Sequence, residues 1–327
     1  MSIKGALITG GAGFLGSHIV EHLLKQGIPC VAVDNLCTGR KSNLDFTSEH
    51  NTPFKFIEAD CAEEWTTKIH PALKEWDSPI SHVFHFASPA SPPIYQEMAF
   101  ETMDINTKGL EYAIQFADAR SARVIFASTS ETYGDPEVHP QPETYRGNVN
   151  TMGIRACYDE AKRYGETIIY TNNWKKGTSH GLVRIFNTYG PRMNPSDGRV
   201  VINFLVQGHK GENLTVYGDG TQTRSFCYVD DLVDGILRYA ATSITDPVNL
   251  GNDKEFTILE LAESVQGMFS EKDLSIQHFE LPKDDPTKRR PELKRAKSLL
   301  NSWEPKVPLK DGLTKMYAWL KDTEIVQ

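Results

Sequence analysis

Residues 6–24, "ALITGGAGFLGSHIVEHLL", run from a short apolar strand through a glycine turn into an amphipathic helix. The glycines read as GxGxxG from Gly11, Gly13 and Gly16, or as GxxGxxG from Gly10, Gly13 and Gly16. Both readings carry the same chemistry. Without Cβ atoms the backbone can approach a pyrophosphate, and the helix N-terminus offers it free N–H groups. About twenty residues on, Asp34 ends a second apolar run, "CVAVD", at the spacing of an acid that binds a dinucleotide's ribose. A carboxylate there repels a 2′-phosphate, so NAD is expected over NADP. The plain alternative is a glycine turn needed only for packing.

Outward from this stretch, short β-branched runs alternate with helical patterns. "GALIT", "CVAVD", "FKFIEAD", "HVFHFAS", "RVIFAST" and "LVRIF" read as strands, with helices near 15–26, 98–118 and 155–174. Near-continuous apolar strands alternating with helices predict an α/β fold, a Rossmann-type doubly wound parallel sheet covered on both faces. After about residue 187 the pattern becomes irregular, as in a smaller lobe closing over the strand ends. We expect residues 1–187 to form the NAD-binding domain, rejoined by about 226–251, and residues 188–327 to form mainly the C-terminal substrate-binding lobe.

With 327 residues, 39% hydrophobic and 24% charged, the composition is that of an ordinary globular protein. A net charge of −8 without a basic stripe argues against nucleic acid as a partner. No apolar stretch approaches the roughly 20 residues of a membrane span. "MSIKGALITG" enters its strand at once, so no signal peptide is expected. Cys30, Cys37, Cys61, Cys157 and Cys227 show no CxxC spacing and read as reduced thiols of a cytoplasmic protein.

Two further patterns bear on chemistry. "HIVEH" puts His18 and His22 on one helix face, the arrangement of a zinc site. That helix already belongs to the glycine turn and has no evident third ligand, so no metal is expected. "CYDEAKRYGE" sets Tyr158 and Lys162 at i and i+4, on one helix face. A phenol has a pKa near 10, and lowering it by about 3 units takes roughly 4 kcal/mol of differential interaction. A lysine ammonium one turn away, with the positive nicotinamide of NAD+, is expected to supply it. Upstream, "FASTSETYGDPEVHPQPETY" carries a strand out into Thr129, Ser130, Glu131 and Thr132.

The glycine turn, the hydroxyls ending the fifth strand and the YxxxK pair, in this order, resemble the extended short-chain dehydrogenase/reductase family over nearly the whole chain. Within it, "FASPASPP", "STSETYGDP", "HPQPETY", "CYDEAKR", "RIFNTYGPRM", "LTVYGDGTQTRSF" and "DDPTKRRPE" are similar to the UDP-glucuronate decarboxylases. The resemblance implies oxidation at C4 of UDP-glucuronate by NAD+, loss of the C6 carboxylate as CO2, and return of hydride to C4 to give UDP-xylose. A UDP-sugar 4-epimerase, or a decarboxylase that releases the 4-keto pentose, uses the same intermediate. A non-catalytic NAD sensor on the same fold is a further alternative.

The resemblance also implies roles for individual residues. Tyr158 is the base at O4, Lys162 its neighbour, Glu131 the acid near C5 and the carboxylate, and Thr129 or Ser130 orients the sugar. Arg289 meets the sugar carboxylate, and Tyr95, Asn187, Arg199, Tyr217 and Arg224 help to bind the UDP-sugar. The cofactor falls to Gly10, Gly13, Phe14 and Leu15, to Asp34, Asn35, Leu36, Thr38 and Gly39, and to Asp60 and Cys61. Phe86, Ser88, Ala127 and Thr188 complete that set with Tyr158 and Lys162. The helices near 98–118 and 155–174 imply a homodimer through a four-helix bundle.

Overall fold

A computed structural model of the chain describes residues 1–281 and 288–323; of the "DDPTKRRPE" stretch, the "DDPT" part lies outside the described residues. Six strands of the central sheet are β1 (Ala6–Thr9), β2 (Cys30–Asp34), β3 (Phe54–Glu58), β4 (His82–His85), β5 (Arg123–Thr129) and β6 (Gly181–Ile185). The strand Val248–Leu250 is the seventh, at the edge beyond β6, and the order runs from it through β6, β5, β4 and β1 to β2 and β3. Every pairing in this sheet is parallel. The expected Rossmann-type sheet is present.

Side chains alternate between two buried faces. Leu7, Val31, Val33, Val83 and Val124 pack under the helices Lys108–Asp118 and Ala156–Lys176, while Ile8, Ala32, Phe84, Ile125 and Val183 join a second core with the helices Phe14–Lys25 and Val229–Ala240. That double burial is why the strands read as continuous apolar runs rather than alternating ones. The order reverses between β1 and β4, so their carboxyl ends open a crevice, the place where such sheets bind ligands.

The helix expected near 98–118 is broken into Ala99–Asn106 and Lys108–Asp118, because Thr107 (φ −116°, ψ −78°) leaves helical geometry. Its hydroxyl donates to the Met103 carbonyl, and the Asn106 amide donates to the Thr102 carbonyl and Ser88 Oγ. Local side-chain bonds of this kind compete with the backbone ladder.

Beyond β6 the chain builds the smaller lobe and returns. The helix Val229–Ala240 buries Val229, Leu232, Val233, Ile236, Tyr239 and Ala240, the i, i+3, i+4, i+7 stripe of a helix laid on a core. Its C-terminal end is capped by buried Arg123 of β5, whose guanidinium donates to the carbonyls of Tyr239, Ala240, Thr242 and Ile244. In the lobe, strand Thr223–Ser225 lies between antiparallel Glu255–Thr257 and parallel Lys288–Arg289. Arg224 and Arg289 sit opposite each other in register. The helix Ile258–Met268 starts on a capping box between Thr257 and Glu260.

Candidate functional site

A cavity of about 890 Å³ follows the crevice from the glycine turn to the smaller lobe. At its sheet end the glycines are required. A Cβ on Gly16 would stand 2.0 Å from the Gly10 carbonyl oxygen, and Gly10 itself has φ +70° with Ala87 backbone 2.8 Å from its Cβ position. The turn is therefore folded tightly enough to bring bare backbone to the cavity. Asp34 closes the next strand, accepting N–H bonds from Ala12 (3.0 Å) and Leu36 (2.8 Å), while burial raises its carboxyl. A bare glycine cradle beside a buried carboxylate is the donor set of a dinucleotide with a free ribose diol, so the residues present fit that group. Gly10, Gly13, Phe14, Leu15, Asp34, Asn35, Thr38, Asp60, Cys61, Phe86, Ser88, Ala127 and Thr188 all line the cavity. Leu36 and Gly39 do not; Gly39 lies against the Ala12 backbone and the Asp34 carboxylate. His18 and His22 bond to the backbone carbonyls of Pro191 and His18.

The other end of the cavity is built on the exit of β5. Thr129 caps the short turn Ser130–Tyr133, accepting the Glu131 N–H at 3.2 Å, and Gly134 ends it at φ +64°. A Cβ on Gly134 would lie 1.9 Å from the Asn148 carbonyl oxygen, so the tight reversal needs glycine. This turn swings Glu131 into the cavity beside Tyr158, which comes from the helix Ala156–Lys176. Tyr95 stacks on the Tyr158 ring with centroids 4.8 Å apart and planes 10° off parallel.

Glu131 is held by two arginines from different parts of the chain. Arg155, the residue preceding the Tyr158 helix, donates to Oε2 at 2.6 Å, and Arg289 of the smaller lobe donates to Oε1. Burial alone would raise the Glu131 carboxyl, but Arg289 and Arg155 outweigh it and hold the group well below the usual carboxylate range. Buried Asp159, next to Tyr158, moves the opposite way: burial and then the Glu131 charge push it up, against Arg155 and Arg289.

Tyr158 and Lys162 both come from the helix Ala156–Lys176, at the i, i+4 spacing read from sequence. Burial, with the Glu131 charge behind it, pushes the Tyr158 phenol up, against a hydrogen bond with Thr129 and the charge of Arg199. Burial also lowers Lys162, to about 7, and its Nζ donates to the Ala127 carbonyl at 2.7 Å. The positive charge of a bound dinucleotide would add to that of the lysine in favouring the phenolate.

All the substrate residues expected from sequence, Tyr95, Asn187, Arg199, Tyr217, Arg224 and Arg289, line the same cavity, as do Thr129 and Ser130. Arg199 is braced by Asp197, with NH2 to Oδ2 at 2.8 Å. Sequence reasoning missed Arg155 and Asp159. Asp159 stands within the quoted "CYDEAKRYGE", one residue after Tyr158, and Arg155 lies two residues ahead of that stretch, where its i to i+3 spacing to Tyr158 was the available signal.

Among the described residues no three or more His, Cys, Asp or Glu side chains group as metal ligands, and no helix is long and apolar enough to cross a membrane. Residues 6–251 match the model of the NAD dependent epimerase/dehydratase family. The chain is 47% identical over 312 residues to UDP-glucuronic acid decarboxylase 1 of Danio rerio, covering 95% of this chain and 71% of that protein. It is 46% identical over 311 residues to UDP-glucuronic acid decarboxylase 3 of Arabidopsis thaliana, covering 95% and 87%. In structure it is similar to the UDP-glucose 4-epimerase of Thermus thermophilus in complex with NAD, with TM-score 0.84, 26% identity, and 97% and 98% of the two chains covered.

Proposed function

The chain belongs to the NAD dependent epimerase/dehydratase family, and from that premise we propose how its own residues carry out the decarboxylation of UDP-glucuronate. That reaction is the chain's activity, with NAD as cofactor. The product proposed is UDP-xylose.

The observation that carries the site-level reading is the Glu131 carboxylate gripped between Arg155 and Arg289 beside Tyr158. Two guanidiniums, those of Arg155 and Arg289, converge at this end of the cavity. A sugar with a C6 carboxylate offers Arg289 a second anion, and a neutral hexose does not.

When bound, NAD supplies the reversible two-electron oxidation at C4. Tyr158 takes the O4 proton, with the Thr129 hydroxyl against the phenol and Lys162 fixed to the Ala127 carbonyl below. Ser130 and Thr129 orient the sugar, and Tyr95 keeps the Tyr158 ring in its plane. Arg289 receives the C6 carboxylate at the end of the cavity. A ketone β to that carboxylate lets CO2 leave with its electrons in an enolate. Glu131, held ionised, fixes the sugar around C5 and C6 while the enolate takes a proton from water at C5, and Tyr158 gives its proton back to O4 as the ketone is reduced. Asn187, Arg199, Tyr217 and Arg224 hold the UDP, and the glycine turn with Asp34 holds the dinucleotide.

Residues 1–187 with about 226–251 form the cofactor domain in this reading, supported by the return of Val248–Leu250 to the central sheet. A homodimer is supported by large apolar side chains left in solvent on the helices Ala99–Asn106 and Ala156–Lys176: Phe100 is 76% exposed, Tyr170 69% and Trp174 67%. Five unpaired cysteines support a cytoplasmic setting. Purified protein incubated with UDP-glucuronate should release CO2 with only catalytic NAD and no build-up of its reduced form. An absence of CO2 sinks the reading, and stoichiometric reduced cofactor replaces UDP-xylose with the 4-keto pentose. A monomer by light scattering at micromolar concentration removes the dimer.

A further inference from the structure

Arg289 faces two demands. Its guanidinium already donates to Glu131 Oε1 and to the Gly134 carbonyl at 3.3 Å, and the C6 carboxylate of the substrate has to be received by the same group. Among the described residues its buried Nε has no hydrogen-bond partner, one donor left for an incoming acceptor. Each step that Arg289 takes toward the sugar weakens its hold on Glu131. A buried carboxylate that loses its cation either moves or takes up a proton.

Arg155 stands where that loss can be absorbed. It contacts the other oxygen of Glu131, Oε2, at 2.6 Å, so the sugar carboxylate does not compete for that bond. Its side chain is 12% exposed, and its guanidinium lies 6.0 Å from the centroid of the Tyr95 ring, which stacks in turn on Tyr158. As the residue preceding the Tyr158 helix, it is fixed to the same backbone as the general base. We propose that Arg155 is the positioning residue for Glu131, retaining its carboxylate in the cleft while Arg289 turns to the carboxylate of the sugar. This rests on the decarboxylase reading given above and adds a residue to it.

Among the described residues the titratable groups that face Glu131 are Arg155, Tyr158 and Asp159 from one helix and its start, Arg289 from the smaller lobe, and Tyr95 from the helix Pro92–Glu97. Removing Arg155 takes away one of two opposing cations and leaves the burial. The carboxyl of Glu131 then protonates at higher pH, in the direction that burial pushes it.

The test is the pH profile of CO2 release from UDP-glucuronate by NAD-loaded wild type, Arg155→Met, Arg155→Gln and Arg155→Lys. In the two neutral variants kcat should fall about 10²-fold near neutrality, the size of a misplaced catalytic group. Their acid limb should move up by about 1–3 pH units, the reach of one adjacent charge. The KM for UDP-glucuronate should stay near wild type, and Arg155→Lys should bring the acid limb back. An unmoved acid limb overturns the proposal, because a merely structural residue lowers activity without shifting it. A raised KM with kcat retained also overturns it, by making Arg155 a direct ligand of the sugar. Should the methionine variant not fold, the glutamine variant decides by the same readouts. For a readout apart from turnover, the 13C carboxyl resonance of Glu131, assigned by its loss in Glu131→Gln, should titrate at higher pH in Arg155→Gln than in wild type. An unchanged titration again overturns the assignment. Wild type that yields no CO2 takes down the decarboxylase reading and this inference together; wild-type turnover with unmoved limbs in the variants sinks only Arg155.

Discussion

Two half-buried glutamates near the carboxyl end of β5 illustrate opposite uses of the same ion pair. Glu166 accepts from Ser128 Oγ at 2.5 Å and from both Nε (2.9 Å) and NH2 (2.7 Å) of Arg184, whose NH1 goes on to Tyr133 Oη and the Glu143 carbonyl. The pair is bidentate, and it ties β5 and β6 to the helix that covers them. Glu131 also has arginine on both oxygens, but one of those arginines belongs to the smaller lobe. Near it, among the described residues, lie buried atoms without a hydrogen-bond partner: Arg289 Nε, Tyr95 Oη and Asp159 Oδ1. A native fold satisfies such atoms almost everywhere, so a cluster of exceptions points to a ligand. The closed pair serves the fold, and the open one serves the chemistry.

The largest expected effect tests the open side. Glu131→Gln keeps the side-chain volume and removes the charge, and kcat should fall by about 10²–10⁴ with UDP affinity near normal. Tyr158→Phe should lose at least as much, since the proton acceptor itself is gone. Steady-state assays of CO2 release with binding isotherms for UDP check both, and wild-type turnover in Glu131→Gln would break the comparison at once.

Next comes the closed side. Glu166→Gln breaks a half-buried bidentate pair and leaves the Arg184 charge without its carboxylate, a loss of up to about 3 kcal/mol. Denaturant unfolding should detect it, while kcat at a permissive temperature stays near wild type. A stability loss in Glu131→Gln larger than that in Glu166→Gln would reverse the assignment of the two pairs.

Titration sharpens the contrast further, because the cleft also holds Lys162 at a cost. Its folded pKa, about 7, lies below the roughly 10.4 of an unfolded lysine, so between those values the unfolded chain binds more protons. Stability of the cofactor-free protein should therefore rise with pH through this window, by on the order of 2 kcal/mol from pH 7 to pH 9. Lys162→Met should abolish that rise in parallel unfolding curves. A wild-type slope that persists in the variant would move the cause elsewhere. The smallest effect is a control remote from both glutamates: Thr257→Ala removes the capping box and should cost about 1 kcal/mol without touching kcat.

Much of this was legible in the sequence, and the reasons differ from part to part. The sheet could be read because its strands are buried on both faces and announce themselves as apolar runs. Tyr158 and Lys162 could be read from helical spacing, and Asp34 from its distance to the glycine turn. Arg289 was visible only through resemblance, since 158 residues separate it from Glu131 and no local period links them. The strands that carry Arg224 and Arg289 are three and two residues long, too short for alternation to register. Arg155 went unread because its partner lies across a turn whose shape depends on Gly134 meeting Asn148. The burial around the Tyr–Lys pair was not legible for a related reason: spacing tells who is adjacent, and says nothing about how dry the neighbourhood is.

The cap that Arg123 places on the helix Val229–Ala240 has a consequence for how the chain comes off the ribosome. Domains commonly fold as units in the order of their synthesis. Here the first sheet strands emerge long before the carbonyls of Tyr239, Ala240, Thr242 and Ile244 that receive the Arg123 guanidinium, and before Val248–Leu250 covers the open edge of β6. A nascent chain ending at residue 187 carries a cation at the foot of β5 with no acceptor and an edge strand with unpaired amides. The amino-terminal half must wait, or be chaperoned, until about sixty more residues have been made. A truncation at residue 187 should therefore be recovered as aggregate, and one at residue 251 as the first fragment with its sheet complete.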